Sequence, residues 1–279
     1  MKPSRRRSFR VALVALAALV SIGWSGSTTR WVAWNAVGFF PPDLKRQVRL
    51  HERRFEAGIQ RGLNAPPAWR AASPGKLEAA LEGQILHCSA ALRKPVPLAD
   101  LVEELGVLAV RVLDANDPLA VTHDDSLEPT YAGSYQAYVD SVRPRLRLVY
   151  YGQNPELLSA KRVDGSISAI LDRTRGLYPF LGEEFYRTGA LRSWRDLDDR
   201  SVAFGVAGVS LSRGLTDLAN FAAYIWKSGG GLVPPPVPTP TGHVGPTVTL
   251  ILEGGFPERE KPGRGESVMP QKKLVLPPP

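Results

Sequence analysis

A chain of 279 residues, 43% of them apolar, can hold one substantial hydrophobic core, and its single cysteine excludes an intramolecular disulfide as the stabilising device. The net charge of +8 overstates its basicity, because residues 1–23 carry five positive charges and no negative one. The +3 left without them is too weak to argue for nucleic acid, and no internal repeat is visible.

The chain opens on a targeting pattern. Lys2, Arg5, Arg6, Arg7 and Arg10 form a basic stretch, and Val11 to Ile22 an apolar run shorter than the roughly 20 residues of a spanning helix. Residues 1–23 read as a signal peptide for export to a bacterial periplasm or the exterior. A retained inner-membrane anchor through residues 11–24 is the alternative. Arg6, Arg7, Ser8 and Phe9 also fit a twin-arginine core, and Ser21 and Gly23 fit the small-x-small rule for cleavage before Trp24.

From residue 27 to 227 the apolar periodicity is helical. Trp31, Val32, Asn35, Ala36, Phe39 and Phe40 form one stripe, which Pro41 and Pro42 end. An amphipathic helix is expected over residues 43–63, a third over 77–92 and a fourth over 98–114. The fourth is apolar on several faces, so it should be buried, with Asp114 at its end and Asp117 and Pro118 stopping it. Further helices are expected over 131–145, 157–178, 181–186 and 201–227, while Val149 to Gly152 is an apolar patch of undecided state. Asp198, Asp199 and Arg200 before the last helix read as a capping arrangement with Ser201. The helices at 98–114 and 201–227 should pack together at the centre of an all-α domain spanning 24–227. Residues 228–279, rich in Gly and Pro, read as a disordered tail in which only Val248 to Leu252 favours a strand.

Within the fourth helix, ELGVLAVRVLDANDPLA (Glu104 to Ala120) resembles the H-x-x-x-D-x-x-x-P-x-H segment of the superfamily that joins zinc-dependent phospholipases C with single-strand-specific nucleases. Residues four apart share a helix face, so H-x-x-x-D brings a nitrogen and an oxygen to one metal. Here Asp114 and Pro118 keep their places, but Val110 and Ala120 stand where the family has His. The late helix repeats the pattern, with Asp217 kept and Arg213 at the His position. The family's mature chain begins with a Trp whose amino group and carbonyl bind zinc, a role the resemblance gives to Trp24; a His ligand five residues on would fall at Thr29. His87, in the context Ile85, Leu86, His87, Cys88, matches a further His, and the family's early Asp has no counterpart near Ala65 to Pro74.

The resemblance therefore implies a phospholipase C/nuclease-like multi-helix domain over 24–227 with Trp24, His87, Asp114 and Asp217 as remaining metal-site residues. The degenerate positions are Thr29, Val110, Ala120 and Arg213. A catalytic zinc wants at least three protein ligands, so the expectation is a chain with no zinc, or with zinc below stoichiometry, that acts by binding. Phospholipid or a membrane surface, or else a partner in the cell envelope, is what such a chain would bind, and nucleic acid is not expected. The alternative is an active zinc-dependent phosphodiesterase on phospholipid or nucleic acid with a reduced site. Arg213 offers a physical replacement for the metal, since a guanidinium can neutralise two buried carboxylates, here Asp114 and Asp217. His123, Asp124 and Asp125 are an alternative source of a shifted ligand, or plain turn formers. No G-x-S-x-G, P-loop, G-x-G-x-x-G or H-E-x-x-H motif is present, and Cys88 reads as a buried apolar residue rather than a nucleophile.

Overall fold

Prolines and hydroxyl caps set most helix boundaries. In the computed structural model residues 23–65, 74–94, 97–122, 128–186 and 193–235 are described, all within one compact unit. α1 (Gly26–Val37) starts at Ser25, whose hydroxyl accepts from Thr28 N, and Pro41 leads into α2 (Pro42–Leu50). α3 (Glu52–Leu63), α4 (Pro74–Ala91), α5 (Leu98–Ala115) and the one-turn α6 (Pro118–Val121) follow. Then come α7 (Glu128–Val142), α8 (Pro155–Ser159), α9 (Asp164–Arg175), α10 (Tyr178–Tyr186) and α11 (Val202–Ser228), with 3-10 turns at Arg143–Arg145 and Trp194–Asp196. The described residues contain no strand, so the fold is all-α there, and no described helix is long and apolar enough to cross a membrane. Residues 1–22, the segment with His123, Asp124 and Asp125, and the chain from 236 on, with Val248 to Leu252, lie outside the described residues.

Two expected helices are divided. The one over 43–63 breaks at His51 (φ −117°, ψ 34°), so that α2 buries Leu44 and Val48 while α3 buries Phe55 and Ile59 on its own axis. The one over 157–178 ends at Ala160, which turns extended (ψ 142°), and restarts as α9. Ser201 does cap α11, its hydroxyl accepting from Phe204 N at 3.2 Å.

α5 is the central helix: Leu101, Val102, Leu105, Leu108, Ala109, Val112 and Leu113 are almost fully buried. It meets α11, where Gly214 faces Leu113, but its most intimate neighbour is α3. Gly58 of α3 and Gly106 of α5 let the two backbones touch: a Cβ on Gly58 would lie 1.8 Å from Glu103 O, and one on Gly106 2.3 Å from Phe55 O. One turn further on, Gly62 receives the side chain of Val110, and Arg54 and Arg61 clasp Glu103 and Glu104 across the same pair.

The undecided patch at Val149 to Gly152 is extended chain laid along α11. Val149 N donates to Ser212 Oγ (3.1 Å), Tyr151 N to Thr216 Oγ1 (3.1 Å) and Asn154 N to Asn220 Oδ1 (2.9 Å). Two extended residues rise about 6.6 Å and four helical residues about 6 Å, so alternate amides meet successive turns. Gly152, at φ +101°, absorbs the extra residue before Asn154, and its carbonyl accepts from Asn220 Nδ2. A row of Ser, Thr and Asn on an otherwise apolar helix thus supplies the acceptors that a neighbouring strand would.

Candidate functional site

Beyond the Gly62–Val110 contact, α3 and α5 diverge, and α4 closes the third side. The resulting cavity of about 510 Å³ is lined by Arg61, Gly62, Asn64 and Ala65 from the end of α3 and the residues following it, by Leu77 and Gln84 from α4, and by Glu104, Val107, Val110, Arg111 and Asp114 from α5. Val110 and Asp114, the two positions that the resemblance gives to a ligand pair, are therefore neighbours on one cavity wall, as their spacing requires. Yet the wall they share is apolar where the His would stand.

The polar lining is tied together. Gln84 Nε2 donates to Glu104 O (3.1 Å) and Oε2 (2.9 Å), and Arg61 pairs with Glu104 at 2.6 Å. Burial alone would raise the Glu104 carboxyl, but Gln84, Arg61 and His87 together hold it below its usual value. Arg111 donates to Ala80 O at 2.5 Å, and burial pulls its guanidinium down from the usual range. Asp114 is 3% exposed. Cys88 lies behind this wall, its thiol pushed up to about 12 by burial and by Glu104, so it stays protonated and is no nucleophile at neutral pH.

The other expected residues are dispersed. His87 is exposed, its imidazole 3.9 Å from Glu104 but turned to solvent, and Gln84 three residues earlier takes the inward position. Trp24 is buried, its indole donating to Leu113 O (3.1 Å) and tilted against Tyr135. Thr29 is buried in the first turn of α1, a turn anchored by the Ser25, Ser27 and Thr28 hydroxyls that converge on Asp140 Oδ1. Ala120 is buried in α6, which Asp117 caps through Leu119 N at 2.9 Å; the D-P of the motif has a structural use here.

Asp217 faces a second, smaller cavity, and its charge is met differently from the expectation. Its Oδ2 accepts from Asn116 Nδ2 (2.8 Å) and from the guanidinium of Arg173, which arrives from α9. Arg213, one turn back on α11, makes no hydrogen bond or ion pair among the described residues; burial and the neighbouring Arg173 lower its pKa. Burial pushes the Asp217 carboxyl up, against the pull of Arg173, Asn116 and Arg213. The cation paired with Asp217 is thus Arg173, while Asp114 lines the other cavity. Arg213 lies one turn before Asp217 and acts on it through its charge, while Arg173 approaches the carboxylate from a facing helix and makes the hydrogen bond.

Among the described residues no group of three His, Cys, Asp or Glu could hold a metal ion, and Asp217 is already paired with a guanidinium. Gln84 and Arg173 were not singled out by the sequence reading. Gln84 had a signal, since it falls on the Leu77, Leu81, Ile85, Cys88 stripe where a polar residue is out of place, but Arg173 had none. In comparisons with known proteins, no family model and no curated protein matches this chain.

Proposed function

We propose that this chain is an exported, non-catalytic relative of the zinc-dependent phospholipase C and nuclease superfamily that works by binding an amphiphile, of which phospholipid is the fitting class, in the Asp114 cavity. One observation carries the reading: at the position of the family's His stands Val110, packed on Gly62 as an apolar wall of the cavity that Asp114 shares. The cavity's about 510 Å³ lies within the roughly 300–1,000 Å³ of small-molecule sites, and Leu77, Val107 and Val110 give apolar surface for a hydrocarbon chain. Arg61 and Arg111 beside Glu104 and Asp114 offer both charge signs to a head group. Dihexanoylphosphatidylcholine titrated below its micelle concentration tests the reading against the variant Val107→Trp, whose indole projects into the cavity. Wild type binds, and the variant binds at least about tenfold more weakly, with its melting temperature little changed. Equal binding by both proteins would remove the cavity from the function.

A further inference from the structure

The extended segment beside α11 uses only one of its two edges. Val149 and Tyr151 turn their amides to Ser212 and Thr216, so by the alternation of extended chain Leu148, Tyr150 and Gly152 turn theirs the other way. Between Arg147 and Gln153 no backbone–backbone hydrogen bond is made among the described residues. Backbone groups are left unmet where water or a partner can reach them, and Arg147, Val149 and Tyr151 expose their side chains along the same stretch.

An open edge of this kind is a template for another chain. Such edges are usually blunted by lysine or proline, but residues 146–154 contain neither, and Val149, Tyr150 and Tyr151 at the centre favour pairing. Val149 is 42% and Tyr151 39% exposed on the outer face. On the inner face Tyr150 stacks on Phe39 at 4.3 Å, and Phe39 is itself 45% exposed, so the middle of the edge is apolar on both sides.

From this pattern we propose that the edge pairs with the same edge of a second copy of this chain, antiparallel about a two-fold axis at Tyr150. Antiparallel pairing is self-complementary, because each segment supplies the donors and acceptors that the other needs. With the axis at Tyr150, its amide and carbonyl exchange with those of the copy, and Gly152 N–H meets Leu148 O on either side. Val149 then lies opposite Tyr151 of the copy, a β-branched residue against an aromatic one. Arg147 falls opposite Gln153, and Arg145 opposite Pro155 beside the exposed Glu156, so the basic end of one segment meets the uncharged and acidic end of the other. An axis at Leu148 would set the two Arg147 residues diagonally across from each other. An axis at Gly152 would centre the pairing on a φ of +101°, which interrupts the extended run. The proposal is independent of the amphiphile reading, since none of these residues lines the Asp114 cavity.

A short edge with Phe39 beside it buries less than the roughly 1,200 Å² of a standard interface, so the dimer is weak, with a Kd on the order of 10–100 μM. Sedimentation velocity of the purified protein between about 2 and 500 μM is expected to show monomer at the low end and dimer at the high end. Val149→Lys puts a charge on an exposed side chain of the edge and is expected to weaken dimerisation at least about tenfold with the melting temperature unchanged. Leu86→Lys, equally exposed but on α4, is expected to leave dimerisation unaltered. The double variant Val149→Cys, Tyr151→Cys is expected to oxidise to a covalent dimer, because directly opposed positions in this register lie within disulfide reach. A protein that stays monomeric throughout, a monomer that instead sediments with phosphatidylglycerol vesicles, or a dimer indifferent to Val149→Lys overturns the proposal.

Discussion

Replacing Gly106 by Ala is expected to destabilise the protein by about 3 kcal/mol, near the upper end of ordinary overpacking. The added Cβ would sit 2.3 Å from Phe55 O and 2.8 Å from Ile59 N, so the obstacle is backbone, which cannot rotate away as a side chain can. α3 and α5 would have to move apart, loosening Phe55, Ile59, Val102 and Leu105, all of them fully buried. The helix-propensity gain of Ala over Gly, about 1 kcal/mol, works in the opposite direction and is too small to compensate. Gly83 of α4 is the control: a Cβ there meets nothing within 4 Å, so Gly83→Ala should gain about 0.5–1 kcal/mol by the same propensity. Urea unfolding of the two variants separates the effects by sign. A Gly106→Ala variant as stable as wild type would mean that α3 and α5 do not touch at backbone distance.

Arg173→Ala should cost about 2 kcal/mol at neutral pH. Removing one partner of a fully buried pair costs about 3–5 kcal/mol, but the Arg173 side chain is 36% exposed, so water screens part of the loss. The pH dependence identifies the cause. Asp217 already titrates above the usual carboxylate range through burial, and without Arg173 its folded pKa rises further. A carboxyl whose folded pKa exceeds its unfolded one favours the fold while protonated and loses that contribution as pH rises through the folded pKa. The deficit of Arg173→Ala relative to wild type should therefore be full at neutral pH and shrink on acidification. Arg213→Ala should cost less than about 1 kcal/mol, since no described ion pair depends on it. If Arg213→Ala were the more damaging of the two, the neutralising role would return to Arg213.

Helix positions were legible in the sequence where the apolar pattern was strong and the caps local. α5 and α11 lie within a residue or two of expectation, with Pro118 and Ser201 marking their surroundings as read. The break at His51 was not legible, because the apolar spacing runs on through it and only the packing of two separate stripes on the core requires a turn. Gly58 and Gly106 matter through their apposition across two helices, which the sequence of neither helix shows. The extended segment at Val149 to Asn154 depends on Ser212, Thr216 and Asn220 more than 60 residues away, a pairing that local pattern cannot reveal.

For the site, spacing told which residues share a helix face and nothing about which helices converge. Val110 and Asp114 do share a cavity wall. His87 does not line that cavity, because its helix turns Gln84 and Leu77 inward instead. Asp217 is a buried carboxylate, and the cation beside it comes from α9 through a contact between residues 44 positions apart, which the spacing within one helix cannot show.

Elemental metal analysis of the purified protein, followed by a phosphodiester hydrolysis assay on phospholipid and on single-stranded DNA with added zinc, tests the central claim most directly. The account predicts less than one zinc per chain and no hydrolysis above the no-protein control, with or without the added metal. One or more zinc ions per chain together with zinc-dependent hydrolysis would contradict it.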